Sequence, residues 1–141
     1  MTSPSSGLPA QGAGTTPARW HRAWQSIQLR FIASVALLAP WVRDADPNIR
    51  RFASELTRPR GVWCAQIEAL KAEPWRGLPL LVPLRADPSR YVQNSVANWL
   101  NDASKTQPQW VDALCERWLA ESPVPETAYI VRRARRSLGA T

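Results

Sequence analysis

Cysteine, histidine and lysine are all scarce in this 141-residue chain, and each shortage removes a class of chemistry. The two cysteines, Cys64 and Cys115, stand far apart, with neither a paired spacing nor a neighbouring histidine. That pattern leaves no basis for a disulfide framework or a zinc site, and both read as buried free thiols. His21 is the single histidine, set between Trp20 and Arg22. A Ser-His-Asp or Cys-His catalyst needs an imidazole positioned by a second group, and nothing in the sequence supplies one. Residues 1–18 carry no charge and consist almost wholly of small, proline and polar residues. They cannot bury enough apolar surface to offset ordering entropy, which predicts a disordered tail ahead of one domain over 19–141. The start lacks the basic segment and continuous apolar run of a signal peptide, and no stretch approaches a membrane span. A soluble, cytoplasmic protein is the expectation.

Positive charge is plentiful. The 18 basic and 11 acidic residues leave a net charge of +7, and Lys71 and Lys105 are the only basic residues that are not arginine. Arginine grips phosphates bidentately and stacks on flat groups, so a polyanionic partner fits this composition. Two clusters stand out, Arg50, Arg51, Arg58 and Arg60 in one stretch and Arg132, Arg133, Arg135 and Arg136 in another. Together they are able to follow a phosphate backbone; solvated helix faces are the competing account.

The most informative stretch is 87–105, DPSRYVQNSVANWLNDASK. Val92, Val96, Trp99 and Leu100 fall at helical spacing and form one apolar stripe, with Asn94, Asn98, Asn101 and Asp102 near or beyond its edge. DPNIRRFASEL at 46–56 and TAYIVRRARRSL at 127–138 carry a related pattern. Setting Ile49, Val92 and Val131 as equivalents also aligns Leu56, Trp99 and Leu138. The separations come near the roughly 40 to 47 residues of HEAT-type repeats, each segment being the second helix of a hairpin. Val62, Ile67 and Leu70 outline one first helix; Val111, Leu114, Cys115, Trp118 and Leu119 outline another. Asp46-Pro47 and Asp87-Pro88 each place a capping residue before a proline suited to the first helical position. Thr106 to Pro108 and Ser122 to Pro125 mark turns, and Pro79 and Pro83 argue against one unbroken helix over 74–86.

ASELTRPRGVW at 53–63, YVQNSVANWLNDASK at 91–105 and TAYIVRRARRSL at 127–138, in this order and spacing, resemble the DNA alkylation repair family, in particular the AlkC branch of its AlkC/AlkD 3-methyladenine DNA glycosylases. The resemblance covers about 41–139, and its most specific part is SELTRPR combined with SVANWLNDASK. It implies an all-α, HEAT-like helical repeat, an α-α superhelix of the armadillo type. It also implies binding, as a monomer, to double-stranded DNA containing alkylated bases and cleavage of the N-glycosidic bond of a cationic base, without cofactor or metal. An N3-alkylated adenine is a good leaving group, so a carboxylate that stabilises the oxocarbenium-like sugar and orients water suffices. An aromatic face holds the cationic base by about 1 to 2 kcal/mol when desolvated.

Carried over by position, Asp102 in the LND element matches the family's catalytic aspartate, and Glu55 in the SEL element matches a second acidic position of the cleft. Trp63 in RPRGVW matches the lesion-binding tryptophan. DNA contacts fall to Arg58 and Arg60, to Arg132 and Arg133 on the phosphates, and to Asn98 and Lys105. Structural roles compete with each of these. Asp102 is able to cap the following turn or pair with Lys105, Glu55 to pair with Arg58 or Arg51, and both Trp63 and Trp99 to be core. We read Trp99 as core and Trp63 as cleft. The family's more N-terminal acidic element, of EFAIRPF type, has no counterpart, since no acidic residue precedes Asp44. In its place RWHRAWQSIQLRFIASVALLAPW offers apolar residues to cover the end of the array. Arg135 falls at the core edge, where a long apolar residue fits better. Two readings stay open beside the enzyme: a non-catalytic helical-repeat module that binds DNA through its arginines, and a protein-binding solenoid with a tryptophan-lined groove.

Overall fold

Proline and short polar caps decide where the helices begin. The computed structural model describes residues 22, 33, 35–59 and 70–138, and among these no residue lies in a strand. A 3-10 turn at Ala39–Arg43 leads into helix α1, Pro47–Leu56. Asp46 caps α1 by accepting the Asn48 N–H at 2.9 Å, with Pro47 in the first turn where its missing N–H costs nothing. Residues 74–84 form a broken helical stretch in which α2, Leu78–Leu81, sits between 3-10 turns at Pro74–Gly77 and Val82–Leu84. Pro79 and Pro83 explain the interruption, since each removes a donor from the ladder. Then come α3 (Arg90–Ala103), α4 (Pro108–Glu121) and α5 (Pro125–Ala134).

The second helices stack in parallel. Arg50 reaches Asp87, Ser54 reaches Ser95 and Arg58 reaches Asp102, so the partners on α1 and α3 advance together. Asn94 with Tyr129 and Asn101 with Ala134 repeat this between α3 and α5. Helix α4 runs the other way and closes a hairpin on α5. This is the all-α, HEAT-like arrangement that the repeats predict.

The stripe on α3 is the centre of the core. Val92, Val96, Trp99 and Leu100 are fully buried, joined by Val111, Leu114, Cys115 and Trp118 of α4 and Ile130 of α5. Burial of each such aliphatic side chain is worth roughly 1.5 to 3 kcal/mol. Trp99 keeps its indole N–H bonded to Thr57 Oγ1 at 3.1 Å, which satisfies its one polar atom. Its ring lies so close to the 74–77 turn that a Cβ built on Gly77 meets Trp99 Cζ2 at 2.5 Å. Only glycine fits there.

Three expectations need correction. The helix after Asp87-Pro88 starts at Arg90, with Ser89 at the cap position and without a side-chain cap bond, while the Asp87 carboxylate accepts the Ser89 N–H and the Arg50 guanidinium. Ile49 and Leu56 do not repeat the burial of Val92 and Trp99, being 36% and 47% exposed. Helix α1 and its C-cap meet α3 through Ser54 and Thr57, so the opposite side, where the Phe52 and Trp41 rings lie tilted at 5.5 Å, is uncovered among the described residues. Arg135 is at the core edge as expected, yet it replaces apolar packing with ion pairs to Asp112 and Glu116 of α4 at 2.9 and 2.7 Å. The tail at 1–18, His21, Cys64 and the helix through Val62 and Ile67 lie outside the described residues. Among the described residues no helix is long and apolar enough to cross a membrane.

Candidate active site

Asp102 occupies the last turn of α3, one step past the buried stripe, where its backbone is fixed by the packing of Trp99 and Leu100. A carboxylate at a helix C-terminus opposes the helix dipole, so it needs a cation. That cation is Arg58, which follows α1: its Nε donates to Asp102 Oδ2 at 2.7 Å, and the two side chains are only 13% and 7% exposed. Lys105, the alternative partner, is exposed and meets Asp102 only through its backbone N–H on the main-chain carbonyl. Asp102 Oδ1 takes no hydrogen bond from the described residues.

The same guanidinium serves a second carboxylate. Arg58 Nη1 donates to Glu55 Oε1 at 3.2 Å, while the Ser95 hydroxyl donates to Glu55 Oε2 at 2.7 Å. Arg51 lies 3.6 Å from Oε2, donates to the Tyr91 carbonyl, and has its guanidinium 4.1 Å over the Tyr91 ring. Ser54 and Ser95 share a buried 2.6 Å hydrogen bond at the helix contact. Burial pushes the Glu55 carboxyl up, but the bonds from Ser95 and Arg58 and the charges of Arg58 and Arg51 outweigh it and hold Glu55 below its ordinary value. For Arg58, burial acts to lower the pKa, and the bond and charge of Asp102, followed by those of Glu55, raise it overall. The result is a polar chain from Asp102 through Arg58 to Glu55, Ser95 and Arg51 across two parallel helices. Both acids are acceptors oriented by one cation, an arrangement suited to stabilising positive charge.

The predicted site residues are therefore partly gathered. Asp102, Glu55 and Arg58 come together, as the Glu55–Arg58 and Glu55–Arg51 alternatives also required. Arg60 and Trp63 lie outside the described residues. Asn98 accepts from Arg136 at 2.9 Å, and Arg132 and Arg133 project into solvent from the last turn of α5. The described members of the first basic cluster are not free surface. Arg50 is bound bidentately to Asp87 at 2.7 and 3.0 Å and Arg58 to Asp102, because stacking of α1 on α3 puts these carboxylates opposite them, while Arg51 is held by Glu55 of its own helix. Sequence reasoning missed Ser54 and Ser95; the repeat alignment sets Ser54 against Ala97 and Ser95 against Phe52, so it gives no signal for their contact. It also missed Arg90, Asn94 and Tyr129 as one group.

The described residues contain no set of three or more His, Cys, Asp or Glu able to hold a metal ion. Burial pushes the Cys115 thiol up to about 11, so it stays protonated and inert at neutral pH.

No family model matches the chain. Over 104 residues it is 41% identical to an uncharacterized protein of Bacillus subtilis strain 168, YhaZ, an alignment that takes in 74% of the chain and 29% of that protein. A solved structure, Pseudomonas fluorescens alkylpurine DNA glycosylase AlkC bound to DNA containing an abasic site analog, is similar at a TM-score of 0.65 and 43% identity, over 74% of this chain and 28% of that one. The chain thus spans less than a third of the length of either relative. With the fold, the repeat signature and these similarities in agreement, the chain belongs to the AlkC branch of the DNA alkylation repair family.

Proposed function

We propose that this chain binds double-stranded DNA carrying alkylated bases and supplies the carboxylates for hydrolysis of the N-glycosidic bond to a cationic base of the 3-methyladenine type. The reading rests on one observation above the others: two carboxylates, Asp102 and Glu55, bridged by Arg58 at the seam of two parallel repeat helices. A cationic base leaves without a strong general acid, so the residual task is to stabilise the sugar as it becomes oxocarbenium-like and to orient water. Asp102 does this as an anion. Arg58 holds the Asp102 carboxylate in place, and Glu55 in turn holds Arg58. Arg58 is in this account a positioning residue, and contact with the phosphate backbone passes to Arg132 and Arg133. Trp63 is placed against the lesion by its motif alone. The reading puts the protein in the cytoplasm, acting as a monomer.

One observation favours a second reading. The Arg58–Asp102 pair seals α1 against α3 and is nearly buried, as a purely structural ion pair would be, in which case the chain is a DNA-binding module without catalysis. Release of the methylated base from alkylated duplex DNA by the purified, folded chain separates them. Release above spontaneous depurination that is lost in Asp102→Asn, with DNA binding kept, supports the enzyme. No release from folded wild type ends the enzyme reading and leaves the module.

A further inference from the structure

On the other side of α3, four arginines have no carboxylate, whereas Arg135 turns to Asp112 and Glu116 of α4. Arg90 at the start of α3 and Arg132, Arg133 and Arg136 on and after α5 form no ion pair among the described residues, and all four are exposed. Two of them meet at one ring. The Arg90 guanidinium carbon lies 3.5 Å from the centre of the Tyr129 ring, and that of Arg132 lies 5.6 Å from the same centre. The Tyr129 hydroxyl donates to Asn94 Oδ1 at 2.6 Å, which fixes the ring between the parallel helices. Glu126, one turn earlier on α5, shares a hollow with Arg90 but makes no ion pair with it.

We propose that Tyr129 is the platform of a phosphate-binding station in which Arg90 and Arg132 together grip the backbone of duplex DNA, with Asn94 setting the ring's orientation. The proposal rests on the DNA-binding reading above, which already includes Arg132, and adds Arg90, Tyr129 and Asn94. A guanidinium lying on an aromatic face is ordered by the contact while its N–H edge remains available, which is the geometry that a phosphate oxygen pair accepts. Two unneutralised guanidiniums beside one ring repel each other, and an anion between them removes that repulsion. Tyr91 under Arg51 is the contrasting case: the same stack, but with the cation already occupied by Glu55. Neighbouring Arg136 and Arg133 extend the positive edge along α5, where Arg136 is braced by Asn98 and by the Arg133 carbonyl.

The test is the salt dependence of binding to a short unmodified duplex, so that base excision plays no part. Each phosphate contact contributes about 0.9 to the slope of log K against log salt. Arg90→Ala and Arg132→Ala should each lower the slope by about that amount. Tyr129→Phe should retain it, and Tyr129→Leu should weaken binding although no charge is removed. If wild type binds with a steep slope and both arginine variants keep it, the station is wrong while the DNA reading stands. If the arginine variants lose slope but Tyr129→Leu binds as wild type does, the platform is wrong and the arginines act as separate surface charges. Wild type whose affinity ignores salt overturns the DNA reading and this proposal with it. The exposed arginine variants should fold normally, so a misfolded Tyr129→Leu does not remove the test.

Discussion

The two faces of α3 are equally rich in arginine and behave oppositely. Toward α1, every guanidinium among the described residues meets a carboxylate: Arg50 with Asp87, Arg51 and Arg58 with Glu55, and Arg58 again with Asp102. Toward α5, Arg90, Arg132 and Arg136 meet an aromatic ring, an asparagine or a carbonyl, and no acid. A charge count cannot tell these apart. The first face is an internally neutral seam that positions acids, and the second is a surface that carries the excess charge of the chain outward. Catalysis and phosphate binding are assigned to different faces for that reason.

The sharpest way to break the comparison is to remove the acid on the first face. Asp102→Asn keeps the shape but loses the anion, and base release should fall on the order of a hundredfold or more in a glycosylase assay while binding to unmodified duplex changes little. A variant that still releases base at the wild-type rate removes Asp102 from the chemistry. The seam should also be the mechanically critical face. Asp87→Ala strands the Arg50 fork, and chemical denaturation should register a loss of about 3 kcal/mol. A similar loss is expected for Trp99→Ala, about 3 to 5 kcal/mol, because the cavity opens between α3 and the 74–77 turn. Gly77→Ala should cost about 1 to 3 kcal/mol by overpacking the same contact from the other side.

Acid sensitivity sharpens the contrast further. Glu55 is held below its ordinary value of 4.5, so its stabilising contribution is complete above that value and is lost as pH falls through the lowered one. Stability should therefore decline on acidification below about 4.5, and Glu55→Gln should flatten this decline in a series of melts at decreasing pH. Arg133→Ala on the second face should leave stability within about 0.5 kcal/mol of wild type, with its effect confined to salt-dependent binding. Comparable destabilisation from both faces would show that the seam is not special.

Much of the architecture was legible in the sequence because helix and repeat signals are local. Asp46-Pro47 starts a helix since cap and proline act within one turn, and Val92, Val96, Trp99 and Leu100 are core since their spacing matches the helical period. Family membership was legible for the same reason, in contiguous blocks such as SVANWLNDASK. Ile49 and Leu56 were misread because periodicity says which residues share a face, while what covers that face is a tertiary fact. The candidate site was half legible. Asp102 and Glu55 were marked by motif, but their common bridge through Arg58 and the Ser95 hydroxyl joins residues about forty positions apart.

The sequence alone determined the helices, their order, the parallel repeat logic and the excess of arginine, because each depends on neighbours within a few turns of chain. Only the tertiary structure decided which arginines are spent on carboxylates and which remain for a partner. That choice depends on the register between stacked helices: α1 sets its cations opposite acids at both ends of α3, whereas α5 sets Tyr129 beside Arg90.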